Sequence, residues 1–248
     1  MDKERICNYI KEENLKNHFV KVFDERTILA VHKLAKKGFF KELEFMISEG
    51  KEAVVFRARN EENNYVAVKV YKIETSGFRK MQDYLHGDPR FTGITNNKRA
   101  IVYAWTKKEY RNLEVAAKAG LNVPLPIGFY ENCLVMEFIG KEIASKKLKE
   151  DKPEDAEKAY SEVVDFIAGF YKQGLVHADL SEYNILNDGT RIVVIDVGQA
   201  VSRAHPEAKK FFERDITNLS RYFTKIGLKK SYEELLEDVK VRKDLKSQ

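Results

Sequence analysis

VHADLSEYNIL, residues 176–186, sets His177, Asp179 and Asn184 at fixed offsets between the apolar residues Val176 and Ile185-Leu186. The spacing is H-x-D-x-x-x-x-N, that of a phosphotransfer catalytic loop. Its mechanics explain the residue types. One carboxylate must accept or orient the proton of an attacking hydroxyl. A neutral amide oxygen a few residues on can bind Mg²⁺ without adding negative charge beside the phosphates. Asp179 is the expected base and Asn184 an expected metal ligand. A capped turn with a surface Asn would give the same spacing. The apolar strand ending in Ile195-Asp196-Val197-Gly198 argues against that, because Asp196, 196 − 179 = 17 residues on, returns a second carboxylate as the main metal ligand.

Upstream, Val66-Ala67-Val68-Lys69 closes a strand with a lysine, where kinase-like proteins hold the α- and β-phosphates; an exposed strand lysine is the plainer alternative. Ser48-Glu49-Gly50-Lys51-Glu52-Ala53-Val54-Val55 precedes it in the place of a glycine-rich loop. Against G-x-G-x-x-G-x-V it reads S-x-G-x-x-A-x-V, with Ser48 and Ala53 as small substitutes that still admit phosphate to backbone N–H groups. Glu52 after Gly50-Lys51 excludes a Walker A loop. The lysine needs a carboxylate partner, and on the helix expected over 101–118 Glu109 is the expected one, with Glu114 the alternative under a different helix rotation. In Met136-Glu137-Phe138-Ile139 the Glu137 carbonyl and Ile139 N–H are placed to read an adenine edge, with Met136 behind it. Val55, Ala67, Leu186 and Ile195 would sandwich the base, though each would serve equally in a plain core.

The rest of the chain supports a folded two-lobed protein. Hydrophobic residues make up 43% and charged residues 33% of the sequence, which excludes a disordered chain. No apolar run reaches membrane-span length and the N-terminus lacks a signal-peptide core, so a cytoplasmic location away from membranes is expected. Cys7 and Cys133 have no metal-ligand spacing and read as reduced thiols. The net charge of +5 comes with scattered lysine pairs, which solvated helix faces explain and which leave an RNA-facing surface open. Asp24 caps a helix stopped near Gly38, and another helix is expected before it, over about 3–20. KELEFMI, EAVVFRAR and YVAVKVY read as strands, and TSGFRKMQDYLHGDPRFTGITNNKR as a mobile loop. Pro153 opens an amphipathic helix, Asn187-Asp188-Gly189 turns a hairpin, and the remainder is helical.

Together ISEGKEAVVFRA, VAVK, VHADLSEYNIL and IDVGQAV resemble the RIO family of atypical kinases, from about residue 22 to the 220s. LSEYNIL and the lead-in helix ending in KKGFF resemble its type-one subgroup in an archaeal-sized version; the second subgroup would need a longer N-terminal region. The resemblance implies an α+β, bilobal protein-kinase-like fold. Residues 1–40 would form a helical extension, 41–139 a β-rich N-lobe with a mobile loop at about 75–100, and 140–248 a helical C-lobe. Ala178 stands where other kinases carry an arginine that reads a phosphorylated loop. Asp215 follows Asp196 by only 19 positions, so an activation segment is expected to be absent. Asp215 would buttress the catalytic loop or serve simply near a helix N-terminus.

The resemblance further implies ATP with Mg²⁺ or Mn²⁺ as cofactors, autophosphorylation on serine, and transfer to serine or threonine. It also implies ATP hydrolysis in maturation of the small ribosomal subunit, with Asp196 as a transient phosphate carrier. The expected partner is the precursor small-subunit particle, through protein and rRNA. Thr75, Ser76, Thr92 and Thr95 are candidate autophosphorylation sites. Two other classes remain open: a small-molecule phosphotransferase, against which stand the only 52 residues after Asp196, and a nucleotide-controlled assembly scaffold.

Overall fold

Side chains of strand β3 (Tyr65–Tyr71) alternate between two environments. Val66, Val68 and Val70 enter a core with Val54, Phe56 and Ala58 of β2 (Ala53–Arg59). Ala67, Lys69 and Tyr71 therefore face the other side, as a period of two requires. In the computed structural model, which describes residues 9–91, 93 and 97–245, β3 is the middle strand of a five-stranded antiparallel sheet of order β1-β2-β3-β5-β4. The other strands are β1 (Glu42–Glu49), β4 (Pro126–Tyr130) and β5 (Cys133–Glu137). Cys7, Thr92, Thr95 and the start of the helix expected over 3–20 lie outside the described residues.

Helices α1 (Glu13–Val22) and α2 (Glu25–Lys36) precede the sheet. Asp24 caps α2, accepting from the Thr27 N–H at 2.9 Å, and Gly38 ends the helical run at φ +79°, a conformation that favours glycine. Phe19 is fully buried, its ring 4.6 Å from Phe23 and 5.4 Å from Phe56 between centroids. The expected extension thus shares one core with the sheet. Buried Asn132 ties it further, donating to Thr27 Oγ1 at 2.9 Å and to the Tyr71 carbonyl at 2.7 Å. Cys133, beside it, is a free thiol whose pKa burial raises.

The described residues of the segment 75–100 do not form the irregular loop that its sequence suggests. It contains α3 (Phe78–His86), a 3₁₀ turn (Pro89–Phe91) and the start of α4 (Lys98–Lys118). Met81, Tyr84 and Leu85 are buried, so the spacing of three and four that binds a helix to a core is present.

Contacts divide the chain into two compact units: residues 1–85, 93–110 and 125–138, and residues 86–92, 111–124 and 139–248. The first holds the sheet and its helices. The second is built on α5 (Ala156–Lys172), which starts beyond Pro153 because Asp155 supplies the cap, accepting from the Lys158 N–H at 2.9 Å. Strands β6 (Lys146–Lys147), β8 (Ile185–Asn187) and β9 (Ile192–Val194) form a small sheet, and β7 (Leu175–Val176) pairs with β10 (Val201–Ser202). Asp188 closes the β8–β9 turn by accepting from the N–H groups of Thr190 and Arg191 at 2.8 and 2.9 Å. Helix α6 (Ala208–Lys225) follows, and α7 (Tyr232–Leu245) packs on α5 through Tyr160 Oη donating to Asp238 at 2.6 Å and Arg242 paired with Asp165 at 2.9 Å. Among the described residues no helix is long and apolar enough to cross a membrane.

Candidate active site

In the first unit, β3 places Lys69 where only 8% of it is exposed, a cost that a charged group bears only with a partner. That partner is Glu109 of α4, Oε1 at 2.7 Å from Lys69 Nζ. The second oxygen of Glu109 accepts from the hydroxyl of buried Tyr71, two residues along the same strand face. Glu114, the alternative, is half-buried in the other unit. Register puts Val55 opposite Lys69 and Met136 opposite Ala67, so these four share one sheet face. Glu137 is tied by its N–H to the Leu125 carbonyl at 2.8 Å.

The phosphate-loop candidate is the tip of the β1–β2 hairpin. Ser48 pairs with Val55, the Gly50 N–H donates to Ala53 O at 2.9 Å, and Ser48, Gly50 and Lys51 are exposed. A Cβ added at Gly50 would come no nearer than 3.6 Å to Ala53 O, so the fold itself does not demand glycine there. What glycine supplies is access to the backbone. Thr75 braces the tip, its hydroxyl donating to the Lys51 carbonyl at 2.9 Å.

In the second unit the catalytic-loop candidate joins β7 to β8. Ala178 is held at φ +68° and Asp196 at φ +61°, left-handed conformations that cost a non-glycine residue on the order of 1–3 kcal/mol each and persist only under constraint. Asp215 of α6 supplies the constraint on the first, accepting from the N–H groups of Ala178 and Leu180 at 2.8 Å each, while Arg214 donates to the Ala178 carbonyl. Asp215 is thus a buttress. Burial pushes its carboxyl up to about 7, against the pull of those N–H groups and of Arg214. His177 is buried with Nε2 3.3 Å from Ile195 O.

Asp179 and Asn184 come together: Asn184 Nδ2 donates to the Asp179 carbonyl at 2.8 Å and reaches Asp179 Oδ2 at 3.5 Å. The Asn184 carbonyl accepts from the Ile195 N–H at 2.9 Å, which brings Asn184 and Asp196 to neighbouring strand ends. Leu186 and Ile195, half-buried, lie on and just after the two paired strands, and Ile139 is buried nearby in sequence to β6.

The donor set fits a hard divalent cation. Commitment of Asn184 Nδ2 to Asp179 leaves its Oδ1 for a metal, and Asp196 adds a carboxylate. Among the described residues no group of three or more His, Cys, Asp or Glu gathers to hold a metal.

Several residues here carry no motif signal. Asn112 of α4 donates to the carbonyls of Val197 and Ala200 at 2.8 and 3.2 Å, holding the turn after Asp196. Arg90 donates to Asn112 Oδ1 at 2.8 Å and to Ala200 O at 3.2 Å, and is itself forked onto buried Asp88. Gln199 donates to Asp179. Tyr71 alone was detectable, as the residue two beyond Lys69 on a strand.

The RIO domain profile matches residues 54–235. The RIO-type serine/threonine-protein kinase Rio1 of Haloferax volcanii is 43% identical over 219 residues, 88% of this chain and 76% of the relative. The Rio1 kinase of Methanocaldococcus jannaschii is 39% identical over 216 residues, 86% of this chain and 74% of the relative. In fold, the chain is similar to the Rio2 kinase of Chaetomium thermophilum crystallised as an ADP/Mg²⁺-phosphoaspartate complex. The TM-score is 0.64 at 21% identity, covering 85% of this chain and 65% of that one. The α+β architecture is therefore kinase-like, and the chain belongs to the RIO family of atypical serine/threonine protein kinases, in the type-one subgroup whose name its archaeal relatives carry.

Proposed function

We propose that this kinase uses ATP with Mg²⁺ or Mn²⁺ to phosphorylate serine or threonine, itself included, and that it also hydrolyses ATP in a cycle of binding and release on precursor small-ribosomal-subunit particles. The observation that carries the catalytic reading is the Lys69–Glu109 pair, at 2.7 Å and buried, which sets an ammonium on a rigid strand where phosphates can be held. Tyr71 and Glu109 orient it. Val55, Ala67, Met136, Glu137, Ile139, Leu186 and Ile195 are assigned to the adenine, and Ser48, Gly50 and Lys51 to the phosphates.

Asp179 accepts the proton of the attacking hydroxyl, and Asn184 and Asp196 hold the divalent ion. The ion, when bound, neutralises charge developing on the phosphates. The phosphoaspartate of the C. thermophilum Rio2 complex motivates the further assignment of Asp196 as a transient phosphoryl acceptor, whose acyl phosphate water then hydrolyses. Ribosome maturation rests on the family resemblance, and the net charge of +5 is compatible with an RNA-containing partner.

The test is incubation of the protein with γ-labelled ATP and Mg²⁺, with and without precursor particles, following phosphoprotein and free phosphate. Label on the protein itself together with particle-stimulated phosphate release is the expected result. Labelled protein with no particle effect would remove the assembly role and leave a kinase acting on protein.

A further inference from the structure

We propose that Gln199 is a positioning residue for the base Asp179, an inference that rests on the phosphotransfer reading above. Gln199 ends the 3₁₀ turn Val197–Gln199 that follows Asp196, and only 6% of it is exposed. Its Nε2 donates to Asp179 Oδ2 at 2.8 Å. Its Oε1 is buried and has no hydrogen-bond partner among the described residues.

That asymmetry is informative. A buried amide with an unmatched carbonyl costs stability, and an unbranched apolar side chain of similar length would fill the same space without the penalty. Folding alone therefore gives no reason for an amide at this position. Asp179 does.

Oδ2 of Asp179 is taken by Gln199, with Asn184 Nδ2 at 3.5 Å from the same oxygen, while Oδ1 makes no hydrogen bond among the described residues. A carboxylate tethered through one oxygen cannot turn freely about its Cβ–Cγ bond, so Oδ1 keeps one direction. In the transfer step Oδ1 takes the proton of the seryl hydroxyl. The seryl oxygen bonds to the γ-phosphorus as the bond to the β–γ bridging oxygen breaks, and ADP leaves. Holding Oδ1 in line raises the share of complexes ready to react without touching the nucleotide. The tether has a firm origin, because the turn that carries Gln199 is pinned by Asn112 Nδ2 on Val197 O at 2.8 Å.

The experiment compares Gln199→Met, Gln199→Glu and Asp179→Ala with the parent chain. Transfer from γ-labelled ATP to dephosphorylated casein, affinity for Mg²⁺-ADP and thermal unfolding are read for each. Gln199→Met keeps shape and removes the unmatched carbonyl. It is expected to unfold no earlier than the parent, bind Mg²⁺-ADP within about twofold, and lose about tenfold or more in kcat with KM for ATP held. Gln199→Glu faces Asp179 with a like charge and should lose more. If Gln199→Met kept kcat within about twofold, or lost nucleotide affinity in step with rate, Gln199 would not act on the base and the proposal would fall. Asp179→Ala separates the two levels. Full transfer by that variant would overturn the base assignment itself, whereas an inactive Asp179→Ala beside a fully active Gln199→Met would overturn the inference alone.

Discussion

Lys69 and Glu109 form a buried pair, and Glu109 is also held by Tyr71, so loss of one member leaves a charge or hydroxyl unmatched in the interior. Lys69→Met is expected to lower kcat/KM by about 10²-fold or more, and Tyr71→Phe by roughly tenfold, measured as steady-state transfer from ATP. The two aspartates should differ from each other. Asp179→Ala is expected to abolish transfer to protein while Mg²⁺-ADP still binds, whereas Asp196→Ala should weaken nucleotide binding as well, as titration calorimetry can separate. Lys69, Asp179 and Asp196 could be singled out from the sequence because phosphoryl transfer demands particular atoms at particular offsets along the chain. Glu109 was legible only as one of two candidates, since helix rotation decides which carboxylate faces a strand. Gln199 falls within IDVGQAV but no motif gives it a role, and Asn112 was not legible at all, because each acts through a partner distant in sequence and neither belongs to a periodic pattern.

At the scale of elements, α3 went unread because Gly77 on one side and Gly87-Asp88-Pro89 on the other frame only 9 residues, and polar Gln82-Asp83 part Met81 from Tyr84-Leu85. Strands β2 and β3 were plain from their β-branched alternation, and α2 from its cap. The turn after Asp196 depends on Asn112, whose amide satisfies two carbonyls. Asn112→Ala is expected to destabilise the protein by about 1–3 kcal/mol and to raise the Mg²⁺ concentration for half-maximal rate, read from a metal titration of transfer. Helix α6 acts through Asp215. Its carboxyl titrates at about 7 in the folded chain against an ordinary 3.8. Between those values the folded state keeps a proton that the unfolded state has released, so this group's contribution to stability falls as pH rises from 3.8 to about 7 and is level above. Asp215→Asn should remove that decline, visible as a smaller fall in urea midpoint than the parent shows over the same range.

For the molecule as a whole, the first unit owes its core to α1 and α2 as much as to the sheet. Phe19→Ala is expected to cost about 3–5 kcal/mol in denaturant unfolding, because a fully buried ring packed on Phe23 and Phe56 leaves a cavity that rigid strands fill poorly. The kinase-like fold could be read from the motifs that carry the family resemblance, whereas the order of strands and helices alone gave only a β-rich first half and a helical second half. That residues between Ile10 and Phe40 join the sheet's core could not, because an amphipathic helix does not say which surface covers its apolar stripe. The middle place of β3 has one more consequence. Its amides are bonded on both sides, to β2 and to β5, so they exchange with solvent deuterium only when the whole sheet opens. Lys69 is thus anchored to the slowest-breathing part of its unit, while the exposed Gly50-Lys51 tip, held by Thr75 and by its own turn, is expected to open first. Exchange at the tip and at β3 will report two separate clocks.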